Sequence, residues 1–164
     1  MRRYLRMLLV AAMAAALGSS FAPQPAAAES VDVMLINEHS GLCAAFVDTE
    51  QFFCEFSQPW EMITQGNGEY TFLDFSTDKC LTVKDNSTAV GARVVRGVCD
   101  ARSSNRWRRT QVRPSDFHFV NANSGMCLTV SGASLEPGAK LIQFPCNTEA
   151  PHNETWNTFP VFLD

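Results

Sequence analysis

The chain has 164 residues, six of them cysteine, with 46% hydrophobic and 18% charged side chains and a net charge of −4. That length bounds the folded part to about one domain. The acidic balance argues against a phosphate backbone as partner, so no nucleic-acid role is expected.

The chain opens on a basic start, Arg2, Arg3 and Arg6, followed by an apolar run from Leu8 to Leu17 and the small residues Ala26, Ala27 and Ala28. This order is that of a bacterial-type export signal, and cleavage is expected after Ala28. An uncleaved anchor is the competing reading, but the run falls short of the roughly 20 apolar residues that span a bilayer. No later run is longer, so membrane insertion is not expected. The sequence thus divides into a signal over 1–28 and one domain over 29–164, secreted to the extracellular space. Loss of the three arginines takes the net charge to about −7.

Beyond the signal, strand signals dominate. Val31 to Ile36, Tyr70 to Phe75, Leu81 to Val83, Val90 to Val95, Phe117 to Val120 and Lys140 to Phe144 are short and rich in β-branched and aromatic residues. Turn formers separate them: Glu38-His39-Ser40-Gly41, Gly66-Asn67-Gly68, Asp85-Asn86-Ser87, Asn123-Ser124-Gly125 and Glu136-Pro137-Gly138. No window past the signal carries sustained helical spacing of apolar residues. An all-β fold is expected. Arg102, Arg106, Arg108 and Arg109 cluster around Trp107 and read as a solvated loop and strand.

Three copies of one pattern run through the domain: Cys43–Cys54–Trp60, Cys80–Cys99–Trp107 and Cys127–Cys146–Trp156. The second and third copies both read Cys-Leu-Thr-Val, both carry a Gly-Ala pair, and both place their cysteines nineteen positions apart. The repeats span about 31–66, 67–113 and 114–164. One such unit cannot bury its apolar side alone, so three should close on each other. Each tryptophan then belongs in the shared core, where burial removes roughly 150–250 Å² from water.

Export implies an oxidising space, in which the cysteines should pair. If each copy is one structural unit it closes its own bridge: Cys43–Cys54, Cys80–Cys99 and Cys127–Cys146. In the chain-entropy model a loop of this size contributes about 3 kcal/mol. Metal ligation is the alternative. It lacks the Cys-x-x-Cys spacing and any histidine that repeats beside the pairs, so neither a metal nor another cofactor is expected.

At these residues the sequence resembles the ricin B-type lectins, the β-trefoil modules with a Gln-x-Trp repeat. Gln58-Pro59-Trp60 matches that motif; Asn105-Arg106-Trp107 and Glu154-Thr155-Trp156 match it with one change each. The Cys-Leu-x-Val box, the Gly-Ala turn and the stretch Ile142 to Cys146 follow in family order. The resemblance implies a β-trefoil of twelve strands with one shallow sugar pocket possible per repeat. It also implies three pocket positions: an aspartate two after the first cysteine, an aromatic ring two before the second, and an asparagine ahead of the tryptophan.

The third repeat keeps the most of this pattern. Phe144 stands at the stacking position and Asn153 at the asparagine position, while Glu154 replaces the glutamine. Thr129 stands where the family has aspartate, and loss of a charged acceptor costs on the order of 1–3 kcal/mol. Glu154 compensates if it faces the pocket. The second repeat has Thr82, Gly97 and Ser104 at the three positions. Its nearest carboxylate, Asp85, is expected on the far side of the strand or in the following turn. The first repeat has Ala45 in place of aspartate, and Phe52 without a polar partner. Repeats one and two therefore read as structural.

Catalysis is not expected. His39, His118 and His152 lie in no recognisable motif, the cysteines are committed to bridges, and nothing in the spacing of Glu61, Glu69 and Asp74 marks a pair of facing acids. Two functions remain open for a monomeric module of this kind. One is glycan or polysaccharide binding through a weakened third-repeat pocket. The other is a β-trefoil without sugar binding that acts as a protein-binding accessory subunit or inhibitor. Phe52, Phe53 and Phe56 are the candidate contacts for the second; core packing is the alternative reading of those three rings.

Overall fold

A computed structural model describes residues 28–147, 149 and 152–162. The expected export signal lies, but for Ala28, outside the described residues. Twelve strands follow one another: β1 Ser30–Asn37, β2 Cys43–Ala45, β3 Glu50–Phe52, β4 Trp60–Gly66, β5 Glu69–Asp74, β6 Lys79–Val83, β7 Val94–Val98, β8 Trp107–Arg113, β9 Asp116–Asn121, β10 Cys127–Val130, β11 Leu141–Phe144 and β12 Trp156–Pro160. Between them are only short 3-10 turns. No described helix is long and apolar enough to cross a membrane.

Six strands close into a ring. β1 pairs with β4, β4 with β5, β5 with β8, β8 with β9, β9 with β12 and β12 with β1, all antiparallel. Closure leaves the ring no free edge. The other six strands form three hairpins, β2–β3, β6–β7 and β10–β11. Each hairpin is joined to the ring through its first strand. This is the β-trefoil, built from three four-strand units.

The core explains the closure. Trp60, Trp107 and Trp156 open β4, β8 and β12, and all three are fully buried. Each indole N–H donates to the carbonyl one residue past the first cysteine of its repeat: Trp60 to Ala44 at 2.9 Å, Trp107 to Leu81 at 2.9 Å and Trp156 to Leu128 at 2.8 Å. One bond thus ties ring to hairpin three times over and satisfies the only polar atom of each buried ring. Leu35, Phe72 and Phe119 fill the equivalent positions on β1, β5 and β9. The three disulfides link Cys43 to Cys54, Cys80 to Cys99 and Cys127 to Cys146.

Three strand expectations need correction, the smallest at Lys140, which makes an isolated bridge to Glu50 while β11 begins at Leu141. Val90 to Arg93 is not strand, and β7 begins only at Val94. Gly91 sits at a φ of 77° in a turn, and its N–H bonds Gln143 of another hairpin instead. Phe75 lies past the end of β5 and is exposed. The tryptophan-led strands β4, β8 and β12 were not among the expected elements, because sequences such as Trp107-Arg108-Arg109-Thr110-Gln111 carry too little apolar alternation.

A buried polar latch accompanies each hairpin. Asn37 and Asn121 accept backbone N–H bonds from the two turn residues that follow β1 and β9. Ser40 and Ser124 then donate to Gln51 and Gln143, each at 2.7 Å. Those glutamines grip a neighbouring repeat: Gln51 donates to the Ser134 and Glu136 carbonyls, Gln143 to those of Ser87 and Ala89. In the second repeat the pair is Asp74 and Arg96. Its target would be the loop of the first repeat, whose cysteines are 11 positions apart rather than 19. With that loop shortened, Arg96 turns back and donates to Asp74 at 2.6 Å.

Candidate functional site

Each repeat presents a hollow at the same place, framed by the first hairpin strand, the turn after it, the second hairpin strand and the loop that follows the second cysteine. The ladder register fixes the equivalence. Phe52, Gly97 and Phe144 lie directly opposite Cys43, Cys80 and Cys127. The turns match as well: Asp48, Asp85 and Gly132 all adopt positive φ. Aspartate tolerates that conformation better than most residues, and glycine holds it without steric cost.

The third hollow has a volume of about 390 Å³, and Thr129, Phe144, Asn153 and Glu154 all line it. Phe144 is 47% exposed on β11, so one edge or face of the ring is open to a ligand. Thr129 is buried, and its hydroxyl donates to the Cys127 carbonyl at 2.9 Å, so its donor is spent inside its own strand. Asn153 donates to the Val130 carbonyl at 2.8 Å, which pins the chain ahead of β12 to the hairpin and leaves the amide oxygen with no hydrogen bond among the described residues.

Glu154 is 4% exposed, and its Oε1 is buried without a hydrogen-bond partner among the described residues. Burial raises its pKa; the backbone N–H groups of Glu154 and Asn147 and the charge of His152 act in the opposite sense. The equivalent side chain in the second repeat is Asn105. It donates to the carbonyls of Val98 and Asp100 at 3.0 and 3.1 Å. A carboxylate cannot donate to carbonyls, so Glu154 at this position draws on backbone N–H groups instead and keeps acceptor capacity in reserve.

The second hollow, about 240 Å³, is lined by Thr82, Gly97 and Ser104 together with Asp85, Asn86, Asp100, Arg102 and Asn105. Asp85 lies in the turn after β6, and the turn brings it to the hollow rather than carrying it away. Arg102 pairs with Asp100 at 2.9 Å. Gly97 leaves no aromatic platform, and the packing shows why. A Cβ there would lie 2.5 Å from Cγ2 of Thr82 on the facing strand.

The first hollow is smaller, about 180 Å³, and is lined by Ala45, Phe46, Phe52 and Phe56. Phe52 packs on Phe53 with ring centres 5.3 Å apart and on Phe56 at 6.5 Å. Phe53 and Phe56 are 44% and 69% exposed, so this cluster lies at the surface and core packing does not account for it.

The acids considered for catalysis sit in separate settings. Asp74 is buried and bound to Ser76, Thr77 and Arg96. Glu69 pairs with Arg106 at 3.1 Å and Arg108 at 3.5 Å. Glu61 lines a separate depression with Asp32. Of the arginine cluster, Arg109 lies over the rings of Tyr70 and Phe117, at 5.2 and 4.5 Å from their centres. The tightest group of potential metal ligands among the described residues is His118 with Cys127 and Cys146. Those sulfurs are bonded to each other and offer no thiolate.

Solved structures repeat this architecture. The designed threefold-symmetric protein ThreeFoil is 24% identical over 77% of this chain and 96% of its own, with a TM-score of 0.73. An exo-β-1,3-galactanase of Clostridium thermocellum is 19% identical over 80% of this chain, with a TM-score of 0.74, but the match spans only 30% of that enzyme. A ricin B-like lectin of Macrolepiota procera, solved with lactose, is 16% identical over 82% of this chain and 97% of its own, with a TM-score of 0.66. At these identities the likeness speaks for the fold. No curated protein matches the sequence. The family described as ricin-type beta-trefoil lectin domain-like matches residues 56–144, more than half the chain. Together with the closed ring and the three equivalent hollows, that match makes the chain a member of the ricin-type β-trefoil lectin domain-like family.

Proposed function

We propose that this protein is a secreted, monomeric, non-catalytic carbohydrate-binding module whose working pocket is the third-repeat hollow. The observation that carries the reading is the buried carboxylate of Glu154, with an oxygen to spare, in the same hollow as the half-exposed ring of Phe144. A sugar needs acceptors for its hydroxyls and a flat apolar surface for its C–H face. Phe144 supplies the surface. Glu154 supplies the charged acceptor that Thr129 does not, since a hydrogen bond to a carboxylate is roughly twice as strong as one to a neutral group. The Asn153 amide oxygen adds a second acceptor.

The substitution Phe144→Ala tests the reading. An aromatic contact is worth about 0.5–1.5 kcal/mol, so affinity for an immobilised polysaccharide should fall roughly two- to tenfold. The ring is half exposed and outside the core, so thermal stability should stay within about 0.5 kcal/mol of wild type. Unchanged retention with unchanged stability would remove this hollow from sugar binding.

A second reading draws on the exposed Phe53 and Phe56 beside the first hollow. Three mutually packed rings at a surface are suited to burial against another protein, which would make the chain an accessory subunit or inhibitor. It gains weight if Phe144→Ala changes nothing while Phe56→Ala abolishes a protein complex.

A further inference from the structure

Resting on that reading, we infer that the third-repeat hollow selects sugars bearing a free amino group over their N-acetylated counterparts. The three hollows differ in how their charges are balanced. In the first, Glu50 is paired with Lys140 at 2.7 Å. In the second, Asp85 and Asp100 share the hollow with Lys84 and Arg102, and Arg102 is bonded to Asp100. In the third, Glu154 is the one charged side chain among the described lining residues, and neither lysine nor arginine faces it. Three histidines lie nearby: His152, whose charge acts on Glu154, His118, which bonds Thr155 at 3.3 Å, and His39, whose Nε2 bonds the carbonyl of the lining residue Ala133 at 3.1 Å.

An anionic floor with no lysine or arginine among its described lining residues disfavours uronic and sialic acids, whose carboxylates would meet Glu154. It favours a ligand that brings a cation and several N–H donors. An ammonium on the sugar ring does both, and pairing with it offsets the cost of holding Glu154 away from water. Phe144 acts in the same sense, because the face of an aromatic ring attracts a cation. N-acetylation removes the charge, leaves a single N–H donor and adds a carbonyl oxygen that a carboxylate repels. Two independent features of the hollow, an acid paired with no lysine or arginine and the open ring, therefore discriminate in one direction.

The test is calorimetric titration of the protein from residue 29 onward with fully N-unsubstituted and fully N-acetylated glucosamine tetrasaccharides, alongside lactose as a neutral probe. The expected result is about tenfold tighter binding of the N-unsubstituted tetrasaccharide, with the ratio between the two ligands falling to about one in Glu154→Gln. Because Glu154 is buried, a second readout on wild type guards against a misfolded variant. The ¹³C shift of the Glu154 side-chain carboxyl should move with the N-unsubstituted ligand and not with the N-acetylated one. Equal or weaker binding of the amine form, a preference that survives Glu154→Gln, or an unmoved carboxyl signal would overturn the inference and leave the sugar-binding reading standing. Failure of all three saccharides to bind would overturn both.

Discussion

The buried pair Asp74–Arg96 makes the sharpest energetic prediction. Asp74 accepts from the Ser76 N–H at 3.0 Å and hydroxyl at 2.6 Å, from the Thr77 hydroxyl at 2.7 Å and from Arg96 at 2.6 Å. The carboxylate is fully buried, whereas the Arg96 side chain is 28% exposed. In Asp74→Asn the Oδ1 bonds survive, but the atom in place of Oδ2 becomes a donor. The Thr77 hydroxyl can rotate to accept from it; the guanidinium cannot. The loss is one charge-assisted bond plus a donor facing a donor, about 2–4 kcal/mol. For a domain of this size that lowers Tm by roughly 6–12 °C. Asp116→Asn is the control: its partner Arg113 is 40% exposed, so the cost should stay below about 1 kcal/mol. The pH dependence follows from the lowered pKa of Asp74, where burial acts to raise it and is outweighed by the bonds from Ser76, Thr77 and Arg96. A depressed carboxylate stabilises the fold above its unfolded value, near 3.9, and loses that contribution as pH falls through the folded value. Thermal melts of wild type and Asp74→Asn should therefore differ most at neutral pH and converge in acid. A constant gap across pH, or a cost no larger than that of Asp116→Asn, would refute the assignment.

Two further outcomes follow from packing and burial. Gly97→Ala should cost about 1–3 kcal/mol through its contact with Thr82, and Thr82→Ser, which lacks Cγ2, should recover most of it in chemical denaturation. His118 has its pKa lowered by burial and by the charge of His152. The unfolded chain thus takes up this proton first, and stability should fall as pH drops below about 6.5 and level off below the folded value. Replacing His118 with Gln should flatten that limb of the stability profile relative to wild type.

Much of the fold was legible because it is written three times. The order cysteine, cysteine, tryptophan recurs in all three copies, and the cysteine spacing and the Gly-Ala pair recur in the second and third; that recurrence points to a closed threefold assembly even where single strands are ambiguous. The strands β4, β8 and β12 escaped because their apolar residues are few and do not alternate regularly; their place is set by ring closure and by the indole bond to the hairpin. The polar latch was invisible for a related reason. Asn37, Gln51, Asn121 and Gln143 lie far apart along the chain, and nothing local marks an amide as buried.

The candidate site was legible in part. Thr129, Phe144, Asn153 and Glu154 do line one hollow, and the resemblance to the ricin B-type lectins, with its positions counted from the cysteines and the tryptophan, pointed to them. The spare oxygen of Glu154 was not readable, since it depends on what the neighbouring loop offers. Asp85 lies in the following turn, one of the two places expected for it, but it lines the hollow, which was not expected. Its positive φ decides between the two places in favour of the turn. The exposed Phe53 and Phe56 also resisted reading, because a run of aromatic residues in a shortened loop looks the same in the core or at the surface.

The most direct measurement is a ¹H–¹⁵N titration of the protein from residue 29 onward with whichever saccharide a glycan array ranks highest. The proposed function predicts shifts concentrated on Thr129, Phe144, Asn153 and Glu154. Shifts centred on the first or second hollow, or a silent array and an unperturbed spectrum, would contradict it.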